Sequence, residues 1–292
     1  IQLPKKVKHA RVYASAHGLY QLSINGQRVC DHYLAPGWTD FPKRIQHQTY
    51  DVTELVQQGP NAIGAALGDG WHRGKVGLNW RNVYGDTLAL VAKLHVTYAD
   101  GSTESFVTDG SWRSAGGPFV QADLQDGESY DARLEQPGWD RADFDASSWS
   151  PVVVASDDLA KLIPQPDEPV RVTELLTART RTEPAPCEFV YDLGQNMVGV
   201  ARFKFAGKKD QTVRIRYAEE LNRLGERKGR LYTENLRTAK VTDTYTFACN
   251  ETVTYQPTFT QHGFRYIEIT GLDTPPETND VHGVVLGSDL PN

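Results

Sequence analysis

The feature that most restricts what this chain can become is a period-two alternation that recurs along much of its length. Leu88, Leu90, Ala92, Leu94, Val96 and Tyr98 alternate with other residues, Asp100-Gly101 follows, and Thr103 to Val107 resumes the pattern. Successive side chains of a strand point to opposite faces, so this spacing lays one apolar row against a core. The Asp-Gly pair supplies the positive φ that a tight hairpin turn requires. Ala201, Phe203 and Phe205, then Val213, Ile215 and Tyr217, then Tyr245, Phe247 and Cys249 repeat the alternation. A last strand runs from Phe264 to Thr270, ended by Gly271. Helical periodicity is nearly absent; Val52 to Gln58 and Ala142 to Ser148 each read as a single turn. The expectation is an all-β protein, two antiparallel β-sandwich (jelly-roll) domains in tandem.

A length of 292 residues suits two domains, each with its own core. A boundary between about Ala155 and Val170 is marked by Ile163-Pro164-Gln165-Pro166-Asp167-Glu168-Pro169. Proline removes ladder donors and favours extended linkers. The domains are therefore expected at 1–160 and 161–292. A second proline-marked stretch, Thr182 to Pro186, reads as a strand-to-strand loop of the second domain, and Tyr191-Asp192-Leu193-Gly194 as a strand ending in a turn.

The formal charge of -6 and the lack of a basic cluster argue against a nucleic-acid partner. No apolar run approaches the roughly 20 residues of a bilayer span, and Ile1 to Lys6 do not read as a signal peptide, so no membrane partner is expected. Ile1 reads as the tail of a strand in a truncated chain. Cys30, Cys187 and Cys249 lack the clustering of a zinc site, and an odd count argues against a disulfide framework. Buried reduced thiols and a cytoplasmic location are the expectation.

Aromatic residues on glycine-bearing turns are the sugar-binding candidates, because the apolar face of a pyranose packs on indole while its hydroxyls need flanking polar groups. Trp71 with Asp69, His72 and Arg73, followed by Trp80 beside Asn79, supplies both kinds of group. The competing reading, a Trp that plugs the end of a sandwich core, is assigned to Trp38 and Trp139. Asp123, Asp126 and Glu128 lie in an acidic run whose hard oxygens suit calcium, although the run lacks EF-hand spacing and also reads as a solvated loop. Glycoside hydrolysis needs two carboxylates about 5 to 10 Å apart. Glu219 and Glu220 are adjacent and point to opposite faces of a strand, and Glu234 and Glu268 have no partner visible in sequence. These read as surface carboxylates and structural ion pairs. There is no nucleophile elbow, and Gly194 to Gly199 lacks the Lys-Ser/Thr ending of a phosphate loop.

Four blocks in order, Tyr191 to Gly199, Tyr217 to Glu220, Leu231 to Arg237 and Gln261 to Tyr266, resemble the β-sandwich that precedes the catalytic barrel in bacterial α-L-rhamnosidases of glycoside hydrolase family 78. Upstream, Gly18 to Asn25-Gly26, Leu34 to Asp40, Thr49 to Thr53 and Leu67 to Trp71 resemble the family's preceding jelly-roll module. The resemblance implies a parent enzyme that hydrolyses terminal α-L-rhamnose with two glutamates carried on an (α/α)6 barrel. That acid-rich signature has no counterpart here, and the chain stops at Ser288 to Asn292, about where the barrel would begin. No catalytic residue is carried over, and the chain is expected to be inactive alone. The implied partners are L-rhamnose or rhamnose-containing glycans for the first domain and the barrel for the second. Calcium at Asp123, Asp126 and Glu128 follows from modules of this family that use it; no other cofactor is implied. Asn235, Arg237 and His262 with Arg265 are implied to face the barrel or brace a loop. The alternative is a free-standing, lectin-like sugar binder, which would lack the large apolar patch of a docking scaffold.

Overall fold

The computed structural model describes residues 1–156 and 159–290. Asp157 and Asp158, within the expected boundary, and Pro291 and Asn292, at the chain end, lie outside the described residues. Strands dominate, and the one α-helix among the described residues is the four-residue Gly70–Arg73. Among the described residues no helix is long and apolar enough to cross a membrane. The alternation at 88–107 becomes Ala89–Tyr98 paired with Thr103–Val107, from Lys93↔Val107 to Thr97↔Thr103. Gly101 in the turn has φ 84°. Val52 to Gln58 and Ala142 to Ser148 close hydrogen-bonded turns, with Leu55 N–H donating to Val52 and Trp149 N–H to Ala146.

The chain forms two compact units that are interleaved in sequence. The first comprises Ile1–Arg73, Asn82–Gly116 and Gln136–Glu168; the second comprises Gly74–Arg81, Gly117–Glu135 and Pro169–Asn292.

In the first unit a five-stranded sheet runs Leu162–Pro164, Ile45–Asp51, Val7–His17, Ala89–Tyr98 and Thr103–Val107. A three-stranded sheet runs Gln27–Arg28, Leu19–Ile24 and Ile63–Gly68. Val12, Ala14, Leu94, Val96 and Tyr98 of the first sheet and Tyr20, Leu22 and Ile24 of the second join one buried core. Each large side chain fully buried there contributes about 1.5–3 kcal/mol. The proline-rich run does more than link. Leu162–Pro164 adds an edge strand parallel to Ile45–His47, an edge position being where proline's missing N–H is tolerated.

In the second unit one ten-stranded sheet has the main path Phe119–Asp123, Gly127–Asp131, Thr242–Thr246, Thr212–Ala218, His262–Thr270, Glu188–Gly207, Val281–Ser288 and Val170–Thr177. Thr180–Ala185 and Glu251–Tyr255 also pair with Glu188–Gly207. Tyr191, Phe203, Phe205, Val213, Ile215, Tyr217, Tyr245, Phe247, Ile267 and Ile269 form its core. Pairing is antiparallel except between Gly127–Asp131 and Thr242–Thr246. A parallel partner needs a long connection rather than a hairpin, and more than 100 residues separate these two strands.

Two local expectations are corrected. Tyr191 to Gly194 does not end a strand: Glu188–Gly207 runs on for 20 residues, with its register shifted between Asp192 and Met197 and Gly194 at φ 79° inside the bulge. Thr182 to Pro186 is not a loop, because Thr180–Ala185 pairs with Glu188–Asp192. Pro184 falls in the register shift between Thr182 and Ala185, where no ladder donor is required.

Candidate functional site

The helical turn Gly70–Arg73, invisible in the sequence pattern, positions most of the expected sugar-binding residues of the first unit. Gly70 has φ 54°, and a Cβ there would lie 2.7 Å from Leu19 Cγ, so the turn packs too closely for a side chain. Asp69 is buried and accepts from Arg73 Nε at 2.7 Å and Nη2 at 2.6 Å. His72 is also buried, stacked on His17 at 4.3 Å with Phe41 edge-on at 5.3 Å, and is a core residue rather than a ligand. Trp71 is half-buried, its ring parallel to that of Trp38 at 6.2 Å and 7°. Trp38 is 55% exposed and donates Nε1–H to Tyr84 Oη at 3.2 Å, so it is not a core plug. Trp139 is packed: a Cβ on Gly64 would lie 2.4 Å from its ring.

The expected set therefore divides. Asp69, Trp71, His72 and Arg73 share one turn of the first unit, and Trp38 and Tyr84 join Trp71 in an aromatic step. Asn79 and Trp80 belong to a segment of the second unit. There Val76 and Trp80 bridge each other, Asn79 adopts φ 107°, and Trp80 is 66% exposed.

The acidic run belongs to the second unit and is neither a solvated loop nor a set of convergent ligands. Asp123, Asp126 and Glu128 are all buried. Asp123 accepts from Arg81 Nη1 at 2.8 Å and from the backbone N–H of Lys75, Gln125 and Asp126. Asp126 accepts from Lys75 Nζ at 2.9 Å and from the Lys240 N–H at 3.3 Å, and these donors hold its carboxyl below the usual range despite burial. Glu128 accepts from Tyr255 Oη at 2.9 Å and from the N–H groups of Thr258 and Phe259 at 2.9 and 2.8 Å. With their oxygens committed to N–H and O–H donors, these carboxylates do not fit calcium, which takes six to eight converging oxygens. Among the described residues no group of three or more His, Cys, Asp or Glu is arranged to hold a metal ion.

Sequence reasoning missed the buried network around Asp243. Its Oδ1 accepts the Glu128 N–H at 2.7 Å and lies 3.3 Å from His262 Nε2, while Oδ2 accepts Tyr217 Oη–H at 2.5 Å. Tyr217 also stacks on His262 at 4.5 Å. Asp243 precedes Tyr245 on the inward side of the strand Thr242–Thr246, so the alternation itself was the available signal. Burial pushes the Glu128 carboxyl up to about 7; nearby Asp243 adds to this, and the Phe259, Thr258 and Tyr255 donors oppose it. Burial likewise raises Glu268 to about 7, with the Glu188 carboxyl adding to the rise and Arg216, 3.5 Å away, opposing it.

The remaining carboxylates hold structure. Glu219 accepts from Asn196 Nδ2 at 2.9 Å, and Glu220 lies 3.1 Å from Arg223. Arg265 grips both oxygens of Asp192 at 2.8 Å, and Asp192 Oδ1 also takes the Gly194 N–H at 2.6 Å, which pins the bulge. His262 is interior, beside Asp243 and Tyr217. Cys187 and Cys249 are exposed rather than buried.

An all-β protein with a glycine-built aromatic step and a sheet locked by buried carboxylates is the class that this geometry defines. Residues 5–174 match the α-L-rhamnosidase N-terminal domain, and residues 182–287 match the bacterial α-L-rhamnosidase concanavalin-like domain. The chain belongs to this α-L-rhamnosidase family. It is 49% identical over 288 residues to an α-L-rhamnosidase of Streptomyces avermitilis, covering 98% of this chain and 28% of that protein. The crystal structure of Streptomyces avermitilis α-L-rhamnosidase complexed with L-rhamnose superposes with TM-score 0.95 at 48% identity, over 100% of this chain and 28% of that one. Native α-L-rhamnosidase from Aspergillus terreus gives TM-score 0.94 at 40% identity, over 99% and 33%. The chain thus spans about a third or less of the length of these relatives.

Proposed function

We propose that the chain is a non-catalytic, two-sandwich portion of an α-L-rhamnosidase whose first unit binds rhamnose or a rhamnose-bearing glycan on the Trp38–Trp71 step. The observation that carries this reading is the likeness, across essentially the whole chain, to an α-L-rhamnosidase complexed with L-rhamnose. The geometry supports it. Two parallel indoles, one 55% exposed, offer an apolar platform for the C–H face and methyl group of a 6-deoxy sugar. Arg73, held by the buried Asp69 and 38% exposed in its side chain, and the Tyr84 hydroxyl are the polar groups of this unit that can hydrogen-bond hydroxyls.

Hydrolysis of terminal α-L-rhamnose would be the work of a barrel elsewhere in the parent protein, with the second unit as its scaffold. The carboxylates described above are engaged in structural contacts, which supports a supporting rather than a reacting role. The test is to assay the purified chain with an aryl α-L-rhamnoside and to titrate it with L-rhamnose. Binding without turnover is expected. Turnover by the chain would overturn the non-catalytic reading, and binding by a chain with no docking partner in its parent would make it a lectin.

A further inference from the structure

In the second unit Arg202 lies directly opposite His282 on the neighbouring strand. Directly paired residues of antiparallel strands share a face, with Cβ atoms about 5 Å apart. Lys204, two residues on, shares that face and pairs with Thr254. His282 pairs on its other side with Thr177, whose Oγ1 lies 3.2 Å from His282 Nδ1. The adjoining positions on this face are Leu175, Val200, Ala206, Thr252 and Val284, so these strand segments place no carboxylate beside the three basic residues.

Among the described residues, neither Arg202 nor Lys204 has a side-chain hydrogen bond or ion pair, and Arg202 Nε is buried without a partner. Exposure grades along the row. Val200 and Val284 are fully buried, Arg202 and His282 are half-buried, and Lys204 and Thr254 are exposed, so the row opens toward Lys204. A buried donor without an acceptor costs stability. Among the described residues no hydrogen bond to Arg202 Nε offsets that cost.

We propose that Arg202, Lys204 and His282 form a site for an oxyanion, carboxylate or sulfate, borne on a saccharide. A guanidinium offers paired N–H donors in the fork geometry that such oxyanions accept, and Lys204 adds a point charge at the open end. Thr177, Thr252 and Thr254 place hydroxyls where sugar hydroxyls would reach. The saccharide part rests on the carbohydrate reading above, whereas the anion part stands on the uncompensated cations.

The test is calorimetric titration of the full chain at low ionic strength with D-glucuronate, inorganic sulfate and L-rhamnose in separate runs. Saturable binding of glucuronate or sulfate is expected, weakened about tenfold or more in Lys204→Gln and in Arg202→Gln and unaffected in Trp71→Ala. Tighter glucuronate binding assigns the carboxylate, and tighter sulfate binding a sulfate ester. Lys204 is exposed, so its variant tests the site even if Arg202→Gln fails to fold. Absence of saturable heat with both anions, or wild-type affinity in Lys204→Gln, would overturn the site. Because rhamnose and Trp71→Ala report on the other unit, that result leaves the rhamnose reading to be judged separately.

Discussion

Asp243 and Glu128 meet inside the second unit, where Asp243 Oδ1 accepts the Glu128 backbone N–H at 2.7 Å. The contact joins two strands more than 100 residues apart that lie parallel in one sheet. It also puts two carboxyl groups near each other out of water, which is part of why Glu128 holds its proton to about 7.

Stability should fall as pH rises from about 4.5 to 7. The Glu128 carboxyl is lifted from 4.5 to about 7 on folding, so the unfolded chain releases this proton first. Its contribution is complete below 4.5 and is lost as pH passes 7, a change on the order of 3 kcal/mol. Glu268 moves in the same direction. Glu128→Gln keeps an oxygen for the two amides and removes the titrating proton, and should flatten much of the slope. Thermal unfolding across this window checks it; a wild-type midpoint that stays level contradicts it.

Asp243→Ala removes the acceptor for the Glu128 N–H and Tyr217 Oη–H and the neighbour of His262 in a dry interior. A loss of about 3 kcal/mol or more is expected in urea unfolding. A loss below about 1 kcal/mol would mean that the network is not part of what holds the sheet together.

Two glycines with positive φ should respond differently to alanine. At Gly127, φ is 102° and a Cβ would lie 2.1 Å from the Thr242 carbonyl oxygen, whereas at Gly101, φ is 84° and nothing lies within 4 Å. Gly101→Ala should cost about 1–2 kcal/mol, the left-handed backbone penalty, and Gly127→Ala clearly more because the strand pair must also separate. Equal losses would show that the strand Gly127–Asp131 is not seated on Thr242–Thr246 as described.

Removing calcium should change nothing. Asp123, Asp126 and Glu128 are satisfied by protein donors, so the unfolding midpoint in EDTA should equal that in calcium. A fall in EDTA would require a cation-dependent arrangement of these carboxylates.

The strand content and the family were legible in the sequence because alternation and local blocks are short-range signals. The hairpin at Asp100-Gly101 and the alternating core residues Phe203, Phe205, Val213 and Ile215 were read directly. What escaped was long-range. Nothing near Glu128 announces a pairing with residues around 243, so the acidic run read as a loop of the first domain. Trp38 was misjudged because a Gly-Trp turn looks alike whether the ring turns inward or lies beside Trp71. The helical turn at Gly70 escaped because four residues carry no periodicity.

The most direct test of the proposed function is calorimetric titration of the full chain with L-rhamnose, repeated with Trp71→Ala and Trp38→Ala. The account predicts saturable binding that each substitution weakens by about 1–3 kcal/mol, roughly five- to 150-fold, while the fold is retained. No binding at millimolar sugar, or an isotherm unchanged in both variants, would contradict it.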